Sequence, residues 1–348
     1  MARKIKRRSF LRLIGIGAAA VALGSFGAFN IGEDIKLRRV DFHAHAILQS
    51  YIDGLKKLGI GAQELEGIAF PKWTVDAHLK FMDDAEIDFS VLSIPSPHIY
   101  NGDVNEKISC DVARKINTEL NELCAVYPDR LGFVAVLPMP SVDGSIDEIH
   151  FSMSRLNALG VKVATNSDGV YLGDEMFDPI FKELNARQAL VIIHPTPPKN
   201  FPREGVVTGK VMSFYEYPVD TTRAVLNMIA NGTLEKFPNI KFVVPYCGSV
   251  LPYMKQRAES NFKSIIENSV DVEAAVKKFY FDLAGDPTPE QMDILLKVTD
   301  GDHLVYGSDF PYSPAQILLD KKKKLEEVLD DRSLMKKIYS DNAENLLT

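Results

Sequence analysis

The chain has 348 residues, of which 46% are hydrophobic and 25% charged, as is typical of a soluble globular enzyme with one large core. The formal net charge is −7. The first 30 residues contain six basic and no acidic groups, so the rest of the chain has 34 basic against 47 acidic residues. This acidic body argues against a nucleic-acid partner. Three scattered cysteines exclude a disulfide framework and a Cys/His metal cluster.

The start of the chain is typical of a targeting signal. The basic segment Lys6–Arg12 precedes the apolar, Gly- and Ala-rich segment Leu13–Phe29, so residues 1–30 are predicted to be a secretory signal outside the fold. The pair Arg7-Arg8 followed by Ser-Phe-Leu resembles a twin-arginine signal, which is read by the Tat export machinery. We therefore expect export to the periplasm with the metal already bound. The alternative is an uncleaved anchor helix, for which the apolar segment is slightly short.

Strand-like and helix-like segments alternate from residue 36 to the end. The predicted strands are 38–43, 87–94, 131–137, 160–165, 189–194, 240–246, 278–283 and 303–308. The predicted helices are 74–86, 103–127, 143–158, 175–187, 218–235, 249–267, 287–298 and 314–347. This alternation predicts an α/β fold with a parallel sheet, and eight repeats predict a closed (β/α)8 TIM barrel forming a single domain over 36–348. The segments 46–73 and 195–217 are predicted to be long loops that shape the substrate pocket.

Metal-ligating side chains stand at the ends of three predicted strands. His43 and His45 are two apart on the first strand and therefore point the same way. His194 ends the fifth strand and Asp309 follows the eighth. Chemistry in such barrels takes place at the C-terminal strand ends, so these four side chains are predicted to hold one cation with room for water. The alternatives are histidines satisfied by ordinary hydrogen bonds and an Asp309 that caps a helix.

At these residues the chain resembles the amidohydrolase superfamily, more narrowly the amidohydrolase-related branch with aminocarboxymuconate-semialdehyde and resorcylate decarboxylases. The early His-x-His motif paired with Gly-Ser-Asp-Phe-Pro at 307–311 is the most specific match. Further similarity covers Leu131–Pro138, Gly160–Tyr171, Phe177–Pro195 and Gly232–Pro252. The resemblance implies a distorted eight-stranded barrel that binds one divalent ion, usually Zn²⁺, through His43, His45, His194 and Asp309. Relatives are often homodimers.

One motif departs from the family pattern. The family normally shows His-x-Gly-Gly where this chain has Tyr246-Cys247-Gly248-Ser249. In relatives that His contacts the metal-bound water and assists proton transfer. The unperturbed pKa of Tyr is about 10, against about 6.5 for His, so Tyr246 is expected to act as an acid or an orienting donor rather than as a base. The exchange implies altered chemistry or weak activity.

Three further residues are candidate substrate contacts. His98 follows the second strand, Asn166 follows the fourth, and Arg257 offers a guanidinium for a substrate carboxylate. Their alternatives are a surface-loop His, a turn-forming Asn and a helix-surface ion pair. Asp282 ends the seventh strand and is expected to orient a ligand histidine.

The resemblance favours a carboxy-lyase acting on a small carboxylated or cyclic molecule. In that reaction Asp309 shuttles the proton and Tyr246 is the nearby donor. One alternative is a metal-dependent lactone or amide hydrolase, in which Asp309 takes a proton from the attacking water. Such hydrolases often use a carboxylated Lys at strand four, but Lys162 lies one position inside that strand and is not assigned. The other alternative is a catalytically impaired metal-binding barrel that acts as a binding protein.

Overall fold

The computed structural model describes residues 38–61, 67–199, 211–265, 270–329 and 331–348. The predicted signal over residues 1–30 lies outside this part of the chain and stays a prediction. Within the described ranges, no helix combines the length and the apolar character that a membrane span requires.

A parallel barrel forms the centre of the fold. The strands are β1 Val40–His45, β2 Phe89–Ser93, β3 Leu131–Val136, β4 Gly160–Ala164, β5 Asn166–Ser167, β6 Val170–Tyr171, β7 Leu190–His194, β8 Lys241–Val244, β9 Tyr280–Asp282 and β10 Leu304–Val305. Their hydrogen-bonded order is β1-β2-β3-β4-β7-β8-β9-β10, with β5 and β6 forming a separate antiparallel pair. Backbone hydrogen bonds from Phe42 to Tyr306 (2.9 Å) and from Asp309 to His43 (2.7 Å) join the first strand to the last. The predicted (β/α)8 barrel is therefore confirmed.

Helices follow most of the barrel strands. They are α1 Gln49–Lys57, α2 Val75–Asp84, α3 Glu106–Val126, α4 Val142–Arg155, α5 Asp178–Ala186, α6 Glu216–Ala230, α7 Thr233–Lys236, α8 Leu251–Ile265, α9 Val272–Val276, α10 Pro289–Leu295, α11 Ala315–Val328, α12 Arg332–Lys336 and α13 Asn342–Leu347. Side-chain caps explain several of the starts. Thr74 accepts a hydrogen bond from Ala77 N (3.1 Å) and Ser141 accepts one from Gly144 N (3.2 Å).

The apolar side chains of the strands explain why the barrel forms. Strands β2, β3 and β4 are buried at every position, as expected for a parallel sheet covered on both faces. One apolar cluster unites alternate strand residues with Ala343 and Leu346 of α13. A larger cluster contains residues of both the strands and the surrounding helices. Burial on both sides fixes the strand ends on which the site is built.

The structure departs from the predicted elements in three places. Helix α1 lies inside the predicted loop 46–73, and its Tyr51 is buried and donates a hydrogen bond to Pro97 O (2.8 Å). The β5–β6 pair follows β4, with a turn at Asp168 and Gly169 that both have positive φ (52° and 86°). The predicted helix 314–347 is divided into α11, α12, a π-helical turn over Lys337–Asp341, and α13.

Candidate metal centre

Three histidines from two strands meet at the C-terminal end of the barrel. His43 and His45 come from β1 and His194 from β7, and their ring centroids lie 4.9–5.3 Å apart. One nitrogen of each ring lies within 4.8 Å of those of the other two, and all three side chains are buried. The structure thus brings together the histidines that the sequence placed at separate strand ends.

The outer nitrogen of each ring is held by a hydrogen-bond partner. Nδ1 of His43 is 2.8 Å from Asp282 Oδ2, and Nδ1 of His194 is 2.8 Å from the carbonyl oxygen of Pro195. Nδ1 of His45 is 3.1 Å from Ser93 Oγ. A carboxylate and a carbonyl only accept, and the Ser93 hydroxyl is itself within reach of Ala44 O, so each Nδ1 donates. In the neutral form of each ring, Nε2 is therefore left as a lone-pair donor for a ligand.

The three Nε2 atoms fit a divalent cation. All three are buried and lack a hydrogen-bond partner among the described residues. Buried polar atoms are rarely left unpaired, and three convergent imidazole nitrogens with hydrogen-bonded outer nitrogens are a common donor set for zinc and related metals.

Asp309 lies beside these nitrogens. Its Oδ1 is 3.2 Å from Nε2 of His45 and 3.6 Å from Nε2 of His43, and its side chain is 23% exposed. Its backbone is left-handed (φ 61°) and is fixed by the hydrogen bond from its amide to His43 O. The carboxylate is therefore placed both to contact a bound cation and to exchange a proton; its role as a ligand stays a prediction.

The protonation of the centre follows from burial and the two carboxylates. Burial lowers the pKa of His45 to about 4 and that of His194 well below its ordinary value. Burial also disfavours charge on His43, but Asp282 and then Asp309 outweigh it and raise the pKa of His43 to about 9. Burial raises the pKa of Asp309, but the interactions of its carboxylate with His45 and His43 lower this pKa by a larger amount. The pKa of Asp309 is therefore below its ordinary value. A bound cation would therefore compete with a proton on His43.

Asp282 connects the metal centre to the loop after β8. One carboxylate oxygen faces His43, and the other accepts hydrogen bonds from the backbone amides of Tyr246 and Ala284 (3.0 Å each). The side chain is fully buried. The expectation that Asp282 orients a ligand histidine agrees with this geometry.

Replacing Asp282 with Asn is expected to weaken metal binding by roughly 10–100-fold, because the amide no longer offers His43 a charged acceptor. Metal titration against a competing chelator measures the change. Asp300→Asn is the matched control, since Asp300 pairs with the partly exposed His303 (2.7 Å) away from the centre. Equal metal affinity in Asp282→Asn and wild type would contradict the assignment.

Tyr246 occupies a strained turn directly after β8. Tyr246, Cys247 and Ser249 all have positive φ (57°, 53° and 58°), a conformation that non-glycine residues adopt at a cost of about 1–3 kcal/mol each. The phenol oxygen is 3.5 Å from Asp309 Oδ2, and the ring centroid is 5.1 Å from that of His43. The structure therefore brings Tyr246 to the predicted site.

A cavity of about 560 Å³ opens at the same end of the barrel. His98 and Asn166 both line it, together with Thr196, which follows His194 by two residues. The amide of Asn166 is engaged by protein groups: Nδ2 donates to Asp220 Oδ2 (3.1 Å) and Oδ1 accepts from Gly169 N (3.1 Å). Asn166 therefore stabilises a turn, which was the alternative to a substrate contact, and it also forms part of the cavity wall.

Arg257 is not brought to this cavity. It lies on an exposed face of α8, next to the buried Ala258, and is absent from the described lining of the cavity. The side chain is exposed, and its predicted contact with a substrate carboxylate stays a prediction. Lys162, which the sequence left unassigned, is buried and donates from Nζ to the carbonyl oxygens of Ile94 and Pro95 (3.0 Å each).

Two residues of the site were missed from the sequence. Ser93 holds His45, and its position at the end of β2 could have identified it, because ligand contacts cluster at strand ends. Asp220 accepts a hydrogen bond from Asn166 and lies on α6. The sequence around an Asp on a helix does not indicate which distant residue it contacts.

The chain matches decarboxylases in sequence. "Decarboxylase yanB" of Aspergillus niger is 31% identical over 293 residues, covering 80% of this chain and 79% of that protein. "6-Methylsalicylic acid decarboxylase" of Penicillium expansum is 27% identical over 292 residues, covering 81% of this chain and 88% of that protein.

Solved structures share the fold. The crystal structure of an amidohydrolase II superposes with a TM-score of 0.79 at 34% identity, covering 89% of this chain and 99% of that chain. 5-Carboxyvanillate decarboxylase of Novosphingobium aromaticivorans, complexed with manganese and 4-hydroxy-3-methoxy-5-nitrobenzoic acid, superposes with a TM-score of 0.78 at 21% identity, covering 90% and 96%. The sequence profile described as "Amidohydrolase" matches residues 40–348. The chain belongs to the amidohydrolase family.

Proposed function

We propose that the chain is a metal-dependent carboxy-lyase that removes carbon dioxide from a small aromatic or cyclic carboxylic acid. The observation that carries the proposal is the convergence of three unpaired Nε2 atoms with the carboxylate of Asp309 at the end of a barrel that also bears a cavity. The names of the sequence relatives, which are decarboxylases, support the same reaction class.

The donor set suits one divalent cation, held by His43, His45 and His194 with Asp309 as the fourth ligand. Nitrogen and carboxylate ligands suit Zn²⁺, which is our first choice, and the manganese in a related decarboxylase structure makes Mn²⁺ the second. When bound, the cation supplies a Lewis acid that polarises a substrate oxygen.

The reaction consumes one proton: the carbon–carboxylate bond breaks, carbon dioxide leaves, and the ring or alkene carbon gains hydrogen. Asp309 is the residue we propose for this proton, because its carboxylate lies beside the histidine nitrogens and is partly open to solvent. Since the pKa of Asp309 is held low, the carboxylate is ionised at neutral pH and must first collect the proton that it delivers. The hydroxyl of Tyr246 donates towards Oδ2 and orients the carboxylate.

A screen for carbon dioxide release tests the proposal. Metal-loaded protein is incubated with 6-methylsalicylic acid and a panel of mono- and dihydroxybenzoic acids, and in parallel with lactones and amides. We expect at least one acid to release one molecule of carbon dioxide for each molecule of acid consumed. Hydrolysis of a lactone or amide with no carbon dioxide from any acid would replace it with the hydrolase alternative, and binding without turnover would favour the impaired barrel.

Tyr246→Phe is expected to lower kcat by roughly 2–10-fold with little change in KM, because one hydrogen bond to Asp309 is lost. Tyr246→His should add a group with an unperturbed pKa of about 6.5 to the pH–rate profile. Steady-state kinetics over roughly pH 5 to 9, which includes the range in which His titrates, measure both the change in kcat and the change in the pH–rate profile. Tyr253→Phe on the exposed face of α8 is the control. A Tyr246→Phe variant as fast as wild type would remove Tyr246 from the mechanism.

A further inference from the structure

A buried lysine lies beside the metal centre and has no part in the proposed reaction. Lys162 is on β4, and Ala164, two residues further along that strand, is paired with His194 of β7. Paired residues of parallel strands face the same side of a sheet, as do residues two apart, so Lys162 and His194 share a side. Lys162 is only 2% exposed. A lysine is rarely buried this deeply unless its ammonium has partners, and these partners show where the charge lies.

The ammonium of Lys162 reaches the end of β2, where a second histidine of the centre is held. Nζ donates to the carbonyl oxygens of the two residues that follow Ser93 (3.0 Å each). Ser93 is paired with His45 between β2 and β1, and its hydroxyl is 3.1 Å from His45 Nδ1. The lysine therefore begins on the strand next to His194 and ends next to the hydrogen-bond partner of His45.

The pKa values of the histidines reflect this charge. Burial is the largest cause of the low pKa of His194, and the positive charge of Lys162 is the next. Burial is also the largest cause of the low pKa of His45, and Lys162 lowers that pKa further. Burial disfavours charge on His43 as well, but nearby carboxylates, Asp282 foremost, raise its pKa to about 9. Positive charge therefore acts on His45 and His194, and negative charge acts most strongly on His43.

We propose that Lys162 sets the ligand preference of the metal centre, because its buried charge favours an anion, the substrate carboxylate, and opposes the binding of the cation itself. A fixed positive charge attracts anions and repels cations, more strongly in a buried site than in water. This charge acts against the rest of the chain, whose excess of acidic residues repels anionic acids. The inference rests on the proposed function, because the anion it names is the carboxylate of that substrate. Lys162 acts through its charge and is not a catalytic residue.

Metal titration against a competing chelator tests the effect on the cation. Lys162→Gln keeps a donor for a carbonyl oxygen but removes the charge, and it should bind Zn²⁺ roughly 3–30-fold tighter than wild type. Lys162→Met, which replaces the side chain with an apolar one, should change the affinity in the same direction. A lysine that only supported the end of β2 would give the opposite sign, because its loss would loosen the partner of His45. Lys80→Gln is the control for net charge and should bind metal as wild type does, since Lys80 is exposed and pairs with Asp84 (2.8 Å).

Calorimetric titration of metal-loaded protein tests the effect on the anion. The probes are benzoate and benzamide, which have nearly the same shape but differ in charge. Wild type should bind benzoate more tightly than benzamide. Both Lys162 variants should lower that preference roughly 3–30-fold and leave the affinity for benzamide within about twofold of wild type. Lys80→Gln should keep the wild-type preference.

Unchanged or weaker metal binding in a folded Lys162 variant would overturn the inference, and so would an unchanged preference for benzoate. Wild type without any preference for benzoate would also overturn it, whether or not the variants fold. Thermal unfolding checks that each variant is folded.

Nitrogen-15 NMR of lysine-labelled wild type gives a second readout that needs neither turnover nor a variant. At neutral pH the Nζ signal of Lys162 should be that of an ammonium group, which carries three hydrogens, and it should shift when Zn²⁺ and then benzoate are added. The signal of a neutral amine would overturn the inference. Absence of carbon dioxide release with these binding and NMR results intact would instead contradict the proposed function alone.

Discussion

Replacing Asp309 with Asn is expected to lower kcat by on the order of 10²–10⁴-fold while the barrel stays folded. The carboxylate is 3.2 Å from His45 Nε2 and has the phenol of Tyr246 3.5 Å from its other oxygen, so the substitution removes the group that moves the proton. Asn has nearly the same shape and tolerates the left-handed backbone at this position (φ 61°), which limits the damage to structure. Carbon dioxide release under saturating substrate and metal gives the rate.

The control for this variant is Asp302→Asn, which removes an exposed carboxylate paired with Lys337 (2.6 Å). It is expected to retain wild-type kcat. Metal content is measured on the same samples, so that loss of a ligand is separated from loss of the proton carrier. An Asp309→Asn variant that binds metal and keeps more than about one-tenth of wild-type kcat would contradict the proton-transfer role.

His194→Ala is expected to abolish both metal retention and turnover. The two histidines that remain, His43 and His45, both come from β1. Losing a direct ligand should lower metal affinity by more than the roughly 10–100-fold expected for losing a hydrogen-bond partner of a ligand, such as Asp282. Elemental analysis after dialysis against a chelator measures retention. His150→Ala is the matched control, because His150 is an exposed histidine of α4 that pairs with Glu183 (3.0 Å). One ion per chain in dialysed His194→Ala would contradict the three-histidine centre.

Local sequence was sufficient for the barrel but not for every helix. Segments such as Leu190–His194 are continuous apolar runs, and their burial on both faces leaves a parallel strand as the consistent structure. Helix α1 was missed because Leu48, at its start, makes no side-chain cap, so the first turn lacks a start signal. The predicted helix 314–347 was too long because Asp331 caps a new helix by accepting from Ser333 N (2.8 Å).

The site residues that the sequence could place are those at the ends of barrel strands. His43, His45, His194 and Asp309 could be placed from the sequence because each lies at a strand end, where the barrel fixes direction as well as position. Arg257 lies on a helix, where the direction of a side chain depends on packing, so its substrate contact stays a prediction. The hydrogen bond that sets His98, from a ring nitrogen to a backbone carbonyl 41 residues away, leaves no trace in residue types.

The most direct test of the metal-dependent mechanism is carbon dioxide release measured against metal content in the same wild-type preparation. Protein stripped with a chelator should be folded and inactive, and stepwise addition of Zn²⁺ or Mn²⁺ should restore release in proportion to bound metal, reaching its plateau at one ion per chain. Full release from stripped protein that contains no detectable metal would contradict the account.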